Sequence, residues 1–422
     1  MSRPRRSSHG APQSAGEDIR VLFDHYAPRD NHFDLKALHD EALGLADRIR
    51  PRLEAPRSPW ADRGRRRRAY ATVLRNYAIN RRRERAGRQD LLPLYFLWTI
   101  QRACNFRCRY CDDHFGRKYP DLPREGTLDT GQAFRLLKIM RTRTPSVLFS
   151  GGEPTLRGDF PTITRAARDL DYYPIIVNTN GSLLHELLPD PGWRTWLADC
   201  DHVVVSLDAL DPDVLSGMWG CPRPEIVVRN ILLLRELAPA MRFKLMISTV
   251  VQPGFIDHAR DVLDLANDLE VCFCPMPMNV GPAIEPSLPG DARYQALVKD
   301  ILARKRAGYP VAGSERLNER MLLARPLECR NTLKPHIDHD GRLYWPCKAG
   351  ANIEPLMLRV LDFEDVDALY AHAAGLRNPA GFQAVCGARC NWSQHYSTDA
   401  YAHLLKHPLA ILGEIRSFLR AS

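Results

Sequence analysis

From residue 94 onward the chain alternates between short apolar runs and longer stretches with helical spacing. The runs are LYFLWTI (94–100), SVLFS (146–150), PIIVNTN (174–180), HVVVSLD (202–208), FKLMISTVV (243–251) and EVCFCPMPM (270–278). All are rich in β-branched and aromatic residues, which favour strands. Helix-like segments follow at 129–142, 159–170, 183–198, 224–237, 256–269 and 291–307. Six strands alternating with six helices predict an α/β fold with a parallel sheet, closed or half-closed as a partial (β/α)6 TIM-like barrel over residues 93–310.

The first hundred residues read differently. Residues 1–32, rich in Ser, Pro, Arg and Gly, predict a mobile tail. Residues 33–92 predict a helical extension. Leu38, Ala42, Leu45 and Ile49 keep one helical face, and Tyr70, Val73, Leu74 and Tyr77 another, with Pro51, Pro56 and Pro59 between the two helices. Residues 311–422 form a third region, a β-hairpin followed by helix. There Cys329 precedes an apolar–polar alternation, a turn at DHDG (338–341), and RLYWPC ending at Cys347.

Charge sharpens this division. The formal net charge is +9, and residues 1–100 hold 21 of the 59 Lys+Arg but only 12 of the 50 Asp+Glu, so the excess lies in the extension. It concentrates in RGRRRR (63–68) and RRRERAGR (81–88). Two readings follow: a solvated arginine-rich helix surface, or a surface for phosphate on a nucleotide or lipid headgroup. No aromatic-plus-basic motif accompanies the charge, so nucleic acid is not expected as a partner. No apolar run is long enough to span a membrane, and no secretory signal is visible. Eleven cysteines without such a signal point to a reducing, cytoplasmic setting and to metal or redox roles.

Strand one runs into CNFRCRYC (104–111), strand two ends in SGGEP (150–154), strand three in NTNGS (178–182) and strand four in SLDA (206–209). In parallel sheets the chemistry sits at the C-terminal strand ends, so these four segments converge on one mouth. Three cysteines on one loop suit a thiolate site with one position left open, as a reactive centre needs. A zinc site, CxxxCxxCxxH closed by His114, is the competing reading.

Cys104-x3-Cys108-x2-Cys111 after a first strand, with Tyr110 before the last cysteine and Gly151-Gly152-Glu153-Pro154 after the second, resembles the radical S-adenosylmethionine (SAM) superfamily. That resemblance implies a [4Fe–4S] cluster on Cys104, Cys108 and Cys111, with SAM chelating the open iron. It implies contacts to SAM or substrate from Tyr110, Gly151, Gly152, Glu153, Asn180, Ser206 and Asp208, although Asn180, Ser206 and Asp208 also suit turn or helix caps. It implies an external electron donor of the flavodoxin or ferredoxin type. The C-terminal cysteines Cys329, Cys347, Cys386 and Cys390 are similar to the auxiliary-cluster domain called twitch in its short form and SPASM in its long form. Four cysteines imply one auxiliary [4Fe–4S] cluster; a four-cysteine zinc hairpin is the alternative. His336, His339 and His395 lie nearby and could replace one cysteine; they read rather as surface or hydrogen-bonding residues. Cys272 and Cys274 share one face of strand six. Cys274 is a candidate hydrogen donor to a product radical, against a role for both as small buried hydrophobes. The expected function is hydrogen abstraction from a small molecule, such as a nucleoside, sugar or phosphorylated metabolite. A peptide maturase is the runner-up, and a non-enzymatic electron-transfer or zinc protein the third reading.

Overall fold

The computed structural model describes residues 23, 32–52, 59–111, 117–349, 355–386 and 390–410. Six strands carry the main sheet: β1 Phe96–Thr99, β2 Val147–Ser150, β3 Ile175–Thr179, β4 His202–Ser206, β5 Lys244–Val251 and β6 Cys272–Pro277. They pair in sequence order and all run parallel. A small ribbon follows, β7 Asn279–Val280 with β8 Ala283–Ile284. The sheet does not close. Instead β9 His336–Ile337 joins the free edge of β1 in parallel, and β10 Arg342–Trp345 and β11 Leu356–Arg359 extend it antiparallel, giving nine strands in the order β11-β10-β9-β1-β2-β3-β4-β5-β6. The expected hairpin is thus present, and it continues the sheet of the first region.

One face of the sheet is sealed by helices: Phe96, Trp98, Val147, Phe149, Ile175, Val177, Val203, Val205, Ile247 and Phe273 are fully buried. The other face is only partly covered. On β5, Lys244, Met246, Ser248 and Val250 alternate with buried Leu245, Ile247, Thr249 and Val251, as the period of two requires.

The N-terminal helices are α1 Leu35–Ile49 and α2 Pro59–Arg85. Helix α1 buries Leu38, Ala42 and Ile49 of the predicted face, while Leu45 is half-buried and Ala46 beside it is buried; Arg50 and His39 reach Glu236 at 3.0 and 3.4 Å. Phe23, within the segment read as a tail, is buried against the His39 ring.

Helix α2 corrects the expectation drawn from its apolar spacing. Tyr70 is 51% and Leu74 68% exposed, while Arg65, Ala69, Asn76 and Asn80 are buried. Each of the three polar side chains makes at least one bond to a backbone carbonyl or a carboxylate. Arg65 donates to Asp201 and to the Tyr172 carbonyl at 2.8 and 2.6 Å, Asn76 to the Arg143 carbonyl at 2.6 Å, and Asn80 to the Leu92 carbonyl at 2.9 Å. Arg68 pairs with Asp171. These partners immediately precede β1, β2, β3 and β4. Helix α2 therefore lies across the N-terminal strand ends, opposite the mouth. Its docked arginines brace the sheet and do not face the site, which removes the phosphate reading for them. Among the described residues, no helix is long and apolar enough to cross a membrane.

Candidate active site

The cysteine loop is held from two sides. Gly152 N–H donates to the Gln101 carbonyl at 2.9 Å and Glu153 N–H to the Ala103 carbonyl at 2.7 Å, so GGEP continues the β1–β2 ladder into the loop. A Cβ on Gly152 would lie 2.1 Å from the Ala103 oxygen, and one on Gly151 2.3 Å from the Gln101 oxygen. The local demand for two glycines is thus close backbone packing. On the other side, Arg107 and Arg109 N–H groups donate to the Trp219 and Met218 carbonyls at 2.9 and 2.8 Å. They satisfy carbonyls at the C-terminus of helix Pro212–Trp219. Phe106 stacks on Trp219, with centroids 5.5 Å apart. This eight-residue helix was not among the predicted elements.

Cys104, Cys108 and Cys111 are half-buried. Burial lifts Cys104 to about 11 and raises Cys108 further, and each sulfur lies in the field of the other two. Four thiolates about 2.3 Å from one zinc ion would sit about 3.8 Å apart. Among the described residues, the grouping of three metal-ligating side chains within 4.8 Å is Asp338–His339–Asp340, not the cysteines. The three sulfurs lie near enough to act on one another's ionisation. His114 lies outside the described residues. The Asp338 grouping is already engaged: that carboxylate accepts from Arg102, Tyr344 and His339.

Two buried carboxylates frame the mouth. Glu153 Oε1 accepts from Thr155 N–H, the Thr155 hydroxyl and the Thr179 hydroxyl at 2.9, 2.6 and 2.7 Å, and Oε2 accepts from Asn180 N–H at 2.6 Å. Burial raises its pKa, and these four donors pull it back. Its carboxylate fastens the ends of β2 and β3. Asp208 accepts from the Tyr110 hydroxyl, Trp219 Nε1 at 2.7 Å and Val250 N–H at 2.7 Å. It thereby locks the cysteine loop to β4 and β5. The Asn180 amide bridges Asn105 and Ser182 at 2.8 and 2.7 Å on the rim. Ser206 pairs in register with Ser248, and Ser248 with Cys274, so these three share one row on the partly covered face. Burial lifts Cys274 to about 12, which keeps it a thiol near neutral pH. Sequence reasoning missed Ser248, Asn105 and Trp219. Ser248 was readable, since it sits in a strand ending level with SLDA.

A second sulfur-rich centre lies in the C-terminal region. Cys329, Cys347 and Cys386 are buried and Cys390 half-buried. Cys386 donates toward Cys390, which holds the Cys390 pKa down and the Cys386 pKa up. Burial raises Cys329, in the field of Cys347 and Cys390, and lifts Cys347 to about 12. His395 sits between two of them, with Nδ1 3.2 Å from Cys329 Sγ and Nε2 3.8 Å from Cys347 Sγ. His336, His339 and His395 are all at least 97% buried, so none is a surface residue.

Residues 98–266, which include the cysteine loop and GGEP, match the Radical SAM superfamily. The chain carries a radical SAM domain. Its curated relatives include a GTP 3′,8-cyclase of Acidothermus cellulolyticus, 33% identical over 40% of this chain and 45% of that protein. They also include an S-adenosylmethionine-dependent nucleotide dehydratase of Selenomonas ruminantium, 30% identical over 35% of this chain and 53% of that one. The chain thus spans about half the length of these relatives. Two solved structures share the fold. SuiB of Streptococcus suis with S-adenosylmethionine aligns with a TM-score of 0.54 at 18% identity over 75% of each chain. Native anSMEcpe with bound AdoMet aligns with a TM-score of 0.53 at 17% identity over 76% of this chain and 100% of that one.

SAM and a [4Fe–4S] cluster are the cofactors of the radical SAM family, and the donor set fits them. Three thiols on one loop suit an iron–sulfur cluster with an open position. The C-terminal set of four thiols is likewise soft and buried.

Proposed function

We propose that this protein is a radical SAM enzyme acting on a small molecule of the nucleoside or nucleotide class, with one auxiliary [4Fe–4S] cluster on Cys329, Cys347, Cys386 and Cys390. The observation that carries this reading is the three-cysteine loop laddered onto GGEP at the mouth of the sheet. The nucleotide chemistry named in relatives at 30–33% identity supports the substrate class. When bound, the cluster and SAM supply a 5′-deoxyadenosyl radical, formed with methionine by one-electron cleavage of SAM, which abstracts hydrogen from the substrate.

The chain's own residues do the rest. Cys104, Cys108 and Cys111 hold the cluster. Gly151 and Gly152 bring backbone against the loop. Glu153 and Asp208 act as positioning residues, and Tyr110 works through Asp208. Asn180 and Ser206 line the mouth where SAM or substrate enters. Cys274 delivers a hydrogen atom to a substrate radical. The resulting sulfur radical returns to the thiol with one electron from a flavodoxin- or ferredoxin-type donor and one proton. Unchanged turnover and product stereochemistry in Cys274→Ala would dismiss that last role.

A peptide substrate is the second reading, favoured by the fold shared with anSMEcpe solved with the Cp18Cys peptide (TM-score 0.50, 16% identity). Against it, the described N-terminal region is two helices, one against the helix Glu225–Met241 and one across the strand feet, rather than a strand-rich peptide clasp. The test is 5′-deoxyadenosine formation by reconstituted protein with SAM, dithionite and each of the four nucleoside triphosphates. Stimulation by one nucleotide, with a mass change in it, is expected. Stimulation by peptide alone would overturn the reading.

A further inference from the structure

Helix α2 inverts the usual arrangement of a surface helix. Arg65, Asn76 and Asn80 lie on its buried side, while Tyr70 and Leu74 stand out toward solvent. Directly opposite the buried side runs a line of exposed residues, Arg67, Ala71, Leu74, Ala78, Arg82 and Arg85. Their steps of three and four average to the helical turn of about 3.6 residues, so they form one straight stripe about 27 Å long. Arginine holds both ends of the stripe. The middle is Ala71, Leu74 and Ala78, where the two alanines let a neighbouring backbone come close.

The charges of the helix are equally one-sided. Arginines turned toward the body of the protein are matched, Arg65 by Asp201, Arg68 by Asp171 and Arg83 by Asp90. The helix's own carboxylates, Asp62 and Glu84, are committed to Arg168 and Arg330. Among the described residues, Arg67, Arg82 and Arg85 have no carboxylate partner. Arg75 beside them reaches the Thr142 carbonyl at 3.4 Å. The chain does not supply the missing charge. Its net charge is +9, and residues 1–22 and 411–422 each hold more Arg than Asp and Glu together. A second copy would set arginine against arginine.

We propose that the outer stripe of α2 docks an amphipathic helix of a second, acidic protein. Apolar side chains of that helix would cover Ala71, Leu74 and Ala78, and its carboxylates would face Arg67, Arg82 and Arg85. The stripe is convex and straight, and a helix laid along it repeats the same period for about five turns. Tyrosine and arginine, both present here, are the residue types that anchor protein interfaces. Two large apolar side chains are too few to seat a helix in a lipid interface. Helix α2 crosses the N-terminal strand ends, so the partner sits opposite the cysteine loop and leaves the mouth uncovered.

The test is fluorescence anisotropy with the full-length protein and two labelled synthetic helices that share a leucine–alanine seam. One carries glutamate opposite the arginine positions, and the other carries lysine there. The acidic helix should bind about tenfold or more tightly than the lysine one, and less tightly as salt rises. Arg82→Glu/Arg85→Glu should reverse that preference, and Leu74→Asp should weaken the acidic helix by about tenfold. All three positions are exposed, so the urea midpoints of these variants should match the unchanged protein. A lowered midpoint would make the stripe part of the fold and overturn the inference. Equal affinity for the two helices, or binding indifferent to both variants, also overturns it. So does binding to phosphatidylglycerol vesicles or double-stranded RNA by a protein that takes up neither helix, which would assign the stripe to lipid or nucleic acid.

Discussion

Replacing Gly152 with alanine should detach the cysteine loop from the sheet. The new Cβ would lie 2.1 Å from the Ala103 oxygen, 2.5 Å from the Ala103 carbonyl carbon and 2.5 Å from the Arg102 oxygen. All three are backbone atoms, so no side chain can swing away. Reaching an ordinary contact moves the loop by about 1 Å, which stretches the 2.9 and 2.7 Å bonds from Gly152 and Glu153 N–H beyond hydrogen-bond reach. Two donors left unsatisfied cost about 2–6 kcal/mol together. The assay is urea denaturation with iron content measured after anaerobic reconstitution. Gly152→Ala should lose that stability and the iron of the Cys104 site while keeping the C-terminal iron. Gly158→Ala, where a Cβ meets nothing within 4 Å, is the control and should change neither. Full stability and full iron in Gly152→Ala would refute the reasoning.

Further outcomes follow from the same structure. Arg65→Met should cost about 3–5 kcal/mol by urea denaturation, since it strands the Asp201 carboxylate at the foot of β4. Glu153→Gln puts an amide opposite four donors, and its thermal unfolding should report a loss of about 1–3 kcal/mol. His202 gives a pH signature. Burial lowers its pKa to about 4 from the ordinary 6.5, so between those values the unfolded chain holds a proton that the folded chain lacks. Stability should therefore fall as pH drops through that window, by at most about 1.4 kcal/mol per unit, and His202→Gln should flatten the slope.

The sheet and the first sulfur site were legible because both follow short-range rules. Alternation of apolar runs located all six parallel strands, and the strand-end rule placed CNFRCRYC and GGEP at one mouth. Helix α2 was misread because its buried face is polar. Arg65, Asn76 and Asn80 find partners on distant loops, and no periodicity reveals that. Helix Pro212–Trp219 was too short for a period to emerge, yet it caps the cysteine loop through two carbonyls. The pull of β9 onto β1, and the placing of His395 between Cys329 and Cys347, are long-range pairings. Spacing along the chain carries no trace of them.

The central claim is two iron–sulfur sites, one of them opening onto SAM. Its most direct test is iron and sulfide analysis of anaerobically reconstituted protein, followed by SAM and dithionite with detection of 5′-deoxyadenosine. The account predicts about eight irons per chain, two cubanes, with 5′-deoxyadenosine formed. Zinc in place of iron with no 5′-deoxyadenosine would contradict it.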